Sequence, residues 1–580
     1  MRRIHLSVAL LIIALSSGAV DARQGNHRAA LDLIKDADLR TWLTYISSDE
    51  LEGRATFSEG IGLAASYITQ HLREWGVKPG GDHDSYLQAV KVLGVRSTSR
   101  STLTVEVNGQ SKVFKDGEGL EFPKNVGGKR TFTVDRVEFM GYGLDAPAAN
   151  HLDYAGKDVK GAAVVWLGPA GPSGVDAATY RRLITGRNRY ATDQLGALAA
   201  LGPAVGGFGG GGGGGGAAPT PAPAAGGGGG FGGAAIPRSD FTTVQRLDTP
   251  QPPAVTAKDE LFDFLFSAAP EKYAALKEKA SKKEALPHFT IGGVKLTFAL
   301  DTDYEIVQTQ VAHNVVGIIP GSDPRLRDTY VAFGAHFDHV GYAQGELTKG
   351  ADGTLRRAGS VGRVTPSATD DRIWNGADDD GSGTVALMSL AKAFSQGSKP
   401  KRSVIIVWHV GEERGLWGSR YFADYPTVPI DKIVAQLNID MIGRNRDDKA
   451  EEANSVYLVG SDRISTELHR LNIDANASLP KPLKLDYEMN DPADLEQVYY
   501  RSDHYSYAAK GIPITFYTTG LHPDYHANTD DVSKINFEKM TRIVQLVYET
   551  GRRTADLDHA PVRDNLGPRA GKATTSTAQR

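Results

Sequence analysis

The 580-residue sequence predicts an α/β fold: a parallel or mixed sheet with helices on its faces, interrupted by an inserted β-rich domain. Three observations predict it. "SVIIVWHV", Ser403 to Val410, is a near-continuous apolar and β-branched run, the composition of a strand buried on both faces. Further runs of this kind, "HNVVGIIPG" and "DTYVAFGAHFDHVG", alternate with helical-period stretches such as "GTVALMSLAKAFS" and "FEKMTRIVQLVYETG". From about Thr98, by contrast, short strands separated by turn residues follow one another, as in "STLTVEVNG", "RTFTVDRVEFMGYG" and "GAAVVWLG".

In chain order, residues 1–22 combine Arg2 and Arg3, an apolar core from Leu6 to Leu15 and small residues ending near Ala22. That is the layout of a secretory signal peptide, so the mature chain is expected to be secreted or periplasmic. The segment 23–97 reads as a helical entry, with "LDLIKDADLRTWLTYISSDELEGR" and "GIGLAASYITQHLREWGV" both amphipathic and the second closed by Gly76. The inserted domain is expected over 98–297. Within it, residues 206–233 are so rich in glycine that they cannot bury a core, and a mobile loop is expected there. The alternating strands and helices occupy 298–557, and a polar tail over 558–580 is expected to be disordered.

Composition excludes several classes. A formal net charge of −4 gives no basic footprint for nucleic acid. No second apolar run of spanning length follows the leader, so no stable membrane insertion is expected after its removal. With no cysteine in the chain, disulfides and thiolate ligands are excluded, and a transition-metal site must use His, Asp and Glu. Neither a Gly-x-Ser-x-Gly turn nor a His-Glu-x-x-His helix is present.

Those permitted residue types converge at strand ends. "YVAFGAHFDH" ends in His336 and Asp338, "VIIVWHVGEE" in Glu412 and Glu413, "IVAQLNIDMIG" delivers Asp440, and "GIPITFYTTGLHPDYHANTD" leads to His526. "NGADDDGSG", opening a helix near Gly383, adds Asp378, Asp379 and Asp380. Ligand sites of open α/β sheets gather at such carboxyl ends. Two imidazoles and three carboxylates can hold two divalent cations, one carboxylate bridging, and two ions ~3.5–4 Å apart can clamp both oxygens of a hydrolysis. One member of the glutamate pair is then left over as a general base. Spacing alone separates neither Glu412 from Glu413 nor Asp379 from its neighbours.

Taken in order, "GAHFDHVG", "NGADDDGSG", "GEERGLWGS", "NIDMIG" and "DYHANTD" closely resemble the motifs of the co-catalytic zinc aminopeptidases grouped with glutamate carboxypeptidases, peptidase family M28. "ISSDELEGR" and "VKPGGD" resemble the helical entry of that family, and "VEFMGYGLDAP" with "LDYAGKDVKGAAVVWLG" resembles the protease-associated domain inserted in several members. The resemblance implies a mixed-sheet zinc exopeptidase domain holding two zinc ions and acting on peptides. His336 and Asp440 would bind one zinc, Glu413 and His526 the other, and Asp379 would bridge them. It also implies Glu412 as general base, Asp338 as the carboxylate orienting His336, and Tyr525 as an oxyanion stabiliser.

Two departures from the family pattern stand out: the glycine-rich run inside the inserted domain, and the stretch Ala343 to Trp374, which lengthens the interval between His336 and Asp379. Hydrolysis of the N-terminal peptide bond is the leading expectation. The alternatives are a carboxypeptidase using Arg501 in "YYRSDHYSYAAKG", a single-zinc glutaminyl cyclase, and a non-catalytic receptor-like relative, which would usually lack ligands or base. The sequence carries no signal for oligomeric state.

Overall fold

The computed structural model describes residues 30–204, 238–350 and 352–565. The expected signal peptide and the glycine-rich run lie outside the described residues, as do residues 566–580 of the expected tail. No helix among the described residues is long and apolar enough to cross a membrane. The chain divides into two compact units, one formed by the residues up to Val90, Val311–Asp491 and Val498 onward, the other by Lys91–Gln310 with Pro492–Gln497.

The first unit contains helices α1 (Asp36–Ile46) and α2 (Glu59–Glu74), then strands β1 (Thr302–Ile319, of which residues from Val311 belong here) and β2 (Tyr330–His336). Helix α3 (Gly383–Gln396), β3 (Ser403–His409), helix α4 (Trp417–Asp424), β4 (Ile433–Ile439) and β5 (Ser455–Val459) follow. Helix α5 (Thr466–Ala477), β6 (Lys484–Asp486), helix α6 (His504–Ala508), β7 (Ile514–Thr518) and helix α7 (Phe537–Asp556) complete it. Buried Leu39, Trp42, Leu43 and Ile46 line one face of α1 at helical spacing. Ser58 caps α2 by accepting from the Ile61 amide.

From β1 inward the strand order is β1-β3-β2-β4-β7-β5-β6, and the short strand Lys78–Pro79 also pairs with β1. The central pairs β3/β2, β2/β4 and β4/β7 are parallel, whereas β1/β3 and β7/β5 are antiparallel, so the sheet is mixed around a parallel centre. Every residue of β3 and β4 is buried, as the apolar runs predict for strands covered on both faces. On one face Ala332, Ile405, Val407 and Phe516 pack with Phe422 of α4 and Tyr507 of α6. On the other, Phe333 meets Phe394 of α3. A methyl carbon at Gly551 of α7 would lie 2.2 Å from the Phe333 ring, so glycine is what lets that helix lie down on the sheet. Parallel register sets His336 beside His409, so the functional ends share one sheet edge.

The Ala343–Trp374 stretch forms two small hairpins, Gly341–Tyr342 with Ile373–Trp374 and Leu347–Lys349 with Leu355–Arg357. Val340, Ala343, Val364 and Trp374 give it a core. Residues 558–565, expected to be disordered, run beside the start of α5: Asp564 accepts from the Thr466 amide, and the Val562 amide donates to Glu467.

The second unit has a six-stranded sheet whose central strands Val137–Met140, Ala163–Val165, Ala199–Pro203 and Ala254–Ala257 are parallel neighbours. It also has a four-stranded antiparallel sheet of Gln110–Lys115, Thr102–Val107, Val294–Leu300 and Arg130–Val134. Phe139, Leu261, Phe266 and Phe298 lie in its core. Helices Arg181–Arg189, Asp259–Leu265 and Tyr273–Ser281 accompany the expected strands.

Candidate metal centre

The eight residues given roles at the sequence level gather at the carboxyl ends of the central strands of the mixed sheet. His336 closes β2; its Nε2 is 3.3 Å from Asp379 Oδ1, 3.7 Å from Asp440 Oδ2 and 4.0 Å from Glu412 Oε2. Its other nitrogen, Nδ1, donates to the Asp338 main-chain carbonyl at 3.0 Å, with the Asp338 carboxylate farther off at 3.7 Å. That carboxylate accepts instead from Thr56 Oγ1 and from the Glu412 amide. Asp338 thus links the end of β2 to the turn bearing the glutamates. Asp440, just past β4, accepts from Ser502 Oγ at 2.6 Å.

The two glutamates go to different sides of Asp379. Gly411 leaves β3 with a φ of 73°, a left-handed conformation that suits glycine and turns the chain into the short coil Glu412–Arg414. Glu412 faces His336, whereas Glu413 Oε2 lies 3.0 Å from His526 Nε2 and its Oε1 lies 2.9 Å from His339 Nδ1. Asp379 presents its second oxygen, Oδ2, at 3.1 Å from His526 Nε2.

Hydrogen bonding assigns different jobs to the three aspartates. Asp380 accepts from the amides of His336, Gly383 and Met441, tying β2, α3 and the end of β4 together. Asp378 accepts from the Gly443 amide at 2.6 Å and faces His522 at 3.3 Å. Of the three, only Asp379 turns toward His336, His339 and His526. Asp530 holds its backbone by accepting from the amides of Asp378 and Asp379. The peptide between Asp379 and Asp380 is cis.

Tyr525 stacks on His526 with ring centroids 4.0 Å apart, and its hydroxyl accepts from Arg501 at 3.1 Å. The loop carrying both rings is held by the hairpin insertion: the Arg363 amide donates to the His526 carbonyl, and the Arg363 guanidinium to the carbonyls of Pro523 and Tyr525.

Several participants carry no strong signal of their own in the sequence. Fully buried Arg54 donates to the carbonyls of Ile46, Phe337, Asn375 and Gly376, so the helical entry is fastened around the site. Burial pulls its guanidinium down to about 10 against the pull of Asp338 and Asp380. His339, Ser502 and Asp530 were likewise not singled out, and Asp380 stood only as an alternative to Asp379. Arg54 and His339 do fall inside the quoted motifs "ISSDELEGR" and "GAHFDHVG".

Burial sets the titration of the site, and neighbouring charges then split it. It would raise both glutamates; Glu412 stays well above the usual carboxylate range, with Glu413, Asp440 and Asp503 adding to burial against His336. Glu413 ends at about 2, because His526 and His339 outweigh burial. Asp379 lies well below its ordinary value despite burial, held by His336 and His526.

The donor set fits divalent cations. The ligand atoms of His336, Asp379 and Asp440 lie within 4.8 Å of one another, as do those of His339, Asp379 and Glu413. Asp379 Oδ2, Glu413 Oε1 and both nitrogens of His339 are buried without a hydrogen-bond partner. Leaving such atoms bare costs about 1–3 kcal/mol each, and more when charged. Cations between them would satisfy the bare oxygens and Nδ1 of His339, the nitrogen that faces them.

Comparison with known proteins agrees in region. The model of peptidase family M28 matches residues 314–551. Leucine aminopeptidase 1 of Trichophyton equinum is 27% identical over 250 residues, covering 41% of this chain and 56% of that protein. Aminopeptidase Y of Saccharomyces cerevisiae is 27% identical over 274 residues, covering 45% of this chain and 42% of that protein. The chain spans about half the length of the curated relatives it matches. Among solved structures, a zinc aminopeptidase from Bacillus subtilis aligns with a TM-score of 0.40 and 15% identity, over 92% of this chain and 99% of that one.

Proposed function

We propose that the chain, whose residues 314–551 match the model of peptidase family M28, is a di-metal exopeptidase removing N-terminal residues from peptides, with Glu412 as general base. The observation that carries this reading is Asp379, whose two oxygens lie 3.3 Å and 3.1 Å from two different imidazoles, His336 and His526. One carboxylate between two donor clusters is the layout of a bridged pair of ions. Imidazole and carboxylate donors suit zinc. Bound there, zinc would supply Lewis acidity, making water nucleophilic near neutral pH and polarising the scissile carbonyl.

The chain's own residues do the rest. Glu412, whose Oε2 faces His336 Nε2 at 4.0 Å, is placed to take the proton of the attacking water at its carboxylate and return it to the leaving amine. Glu413, between His526 at 3.0 Å and His339 at 2.9 Å, is placed for metal ligation instead. The Asp338 carboxylate fixes the Glu412 amide, and Arg501 aims the Tyr525 hydroxyl, which can stabilise the developing oxyanion. In the same reading, residues 98–297 act as a protease-associated-like domain and peptides are the substrates.

Product mass spectrometry on unblocked peptides, incubated with zinc-loaded protein, tests the direction. Loss of residues from the N-terminus is expected. Loss from the C-terminus would replace this reading with carboxypeptidase action.

A further inference from the structure

His339 has no place in the ligand set that the motif resemblance implies, yet its side chain is fully buried against it. We propose that His339 is a fourth protein ligand, through Nδ1, of the cation held by Asp379, Glu413 and His526; the inference rests on the di-metal reading.

The ring is fixed from two directions. Its amide donates to the Arg54 carbonyl, and a methyl carbon at Gly376 would lie 2.5 Å from ring atoms Cγ and Cδ2, so only glycine leaves room for the imidazole. Nδ1 then faces Glu413 Oε1 at 2.9 Å and Asp379 Oδ2 at 3.8 Å. A structural histidine in a core is held by hydrogen bonds, but neither nitrogen of His339 makes one among the described residues. The 2.9 Å approach to Glu413 lacks hydrogen-bond geometry as well. Two donor atoms close together yet not aimed at each other are the mark of a shared third atom. With metal–ligand bonds of about 2.0–2.1 Å, donors around a tetrahedral ion sit about 3.3–3.4 Å apart. Glu413 Oε1 lies 2.9 Å from His339 and its Oε2 3.0 Å from His526, while Asp379 Oδ2 lies 3.1 Å from His526 and 3.8 Å from His339, distances that bracket this spacing.

The consequence is asymmetry. The His526 side then offers four protein donors, a closed set, whereas His336, Asp379 and Asp440 offer three and leave a position open beside Glu412. The open side takes the exchangeable ligand; the closed side anchors Asp379 and Glu413.

The test uses the full mature chain and its His339→Asn and His339→Ala variants, loaded with zinc or with cobalt(II). Metal per chain is counted after dialysis against graded chelator, with circular dichroism to follow folding. Wild type is expected to hold two ions and release one first. Each variant is expected to keep one ion at wild-type affinity and to bind the other more than ~100-fold more weakly, beyond the 10–100-fold typical of an outer-shell partner. The visible cobalt(II) bands of the second ion should change with its coordination. Retention of both ions at wild-type affinity with unchanged bands would overturn the assignment, as would parallel loss of both ions. A wild type that binds fewer than two ions would instead sink the di-metal reading, and this inference with it.

Discussion

The chain contains two sheets with parallel centres, and their carboxyl ends are finished in opposite ways. In the second unit, the strands Val137–Met140 and Ala163–Val165 run out into Tyr142 and Gly168, where buried Arg187 donates to the carbonyls of Tyr142, Gly168, Pro169 and Ile184. Trp166 covers the guanidinium at 4.2 Å. In the first unit Arg54 does the same for four carbonyls around the metal centre. Burial pulls both guanidinium groups down to about 10. The difference lies in what they surround. Arg187 closes a sheet end with its hydrogen bonds made, whereas Arg54 frames a set of carboxylates and imidazoles that still lack partners. The same backbone device ends one sheet and holds another open for chemistry.

The contrast can be broken first at the open end. Glu412→Gln is expected to retain both ions and lose ~10²–10⁴-fold in kcat, the usual worth of a positioned base. Glu413→Ala should lower metal content instead. Metal analysis alongside steady-state kinetics checks both, and near-wild-type turnover by a metal-replete Glu412→Gln chain would reverse the assignment of the pair.

The two arginines come next. Replacing either by methionine strands several buried carbonyls, at about 1–3 kcal/mol each where nothing else reaches them. A comparable loss of stability, roughly 3–5 kcal/mol by analogy with broken buried pairs, is expected for Arg54→Met and Arg187→Met. Only Arg54→Met should also lower turnover per folded molecule, because its carbonyls belong to the segments bearing His336 and Asp379. Chemical denaturation combined with kinetics normalised to folded protein distinguishes the two. Equal kinetic damage from Arg187→Met would erase the contrast.

What was legible in the sequence follows the same division. The alternation of buried-strand runs with amphipathic helices signalled the α/β class, because full burial of β3 and β4 demands uninterrupted apolar composition. Ligand types were legible because each strand end carries its own polar signal after an apolar run. The choice among Asp378, Asp379 and Asp380 was not, since it depends on which backbone amides from β2, α3 and the end of β4 claim the other two carboxylates. Strand order was hidden for a related reason: β7 inserts between β4 and β5, and no local pattern encodes a neighbour distant in sequence. The parallel strands of the second unit are three to five residues long, too short for period to show direction.

The smallest expected effect sets the two units apart by pH. His504, in α6 of the first unit, stacks on Phe516 and makes a 2.8 Å hydrogen bond to the Tyr499 carbonyl. Burial drives its imidazole down to about 3, against smaller upward pulls from that carbonyl and Asp503. Between pH 6.5 and 3 the unfolded chain takes up a proton that the folded chain refuses, so this group's contribution is complete above 6.5 and is lost as pH falls. Asp153 in the second unit lies below its ordinary value of 3.8: burial would raise it, but His151 and His288 outweigh that. Its contribution is complete above 3.8 and fades only under stronger acid. Asp530, pushed up to about 6 by burial, works in the opposite direction, but it is common to wild type and variant and cancels in their difference. Lowering the pH from 7 to 5 should therefore cost wild type about 2 kcal/mol more than His504→Gln, at about 1.4 kcal/mol per unit below 6.5. Urea unfolding at both pH values measures that difference. Parallel stability curves for the two chains would mean that His504 is protonated in the folded state, and that the first unit has no special sensitivity in this window from that group.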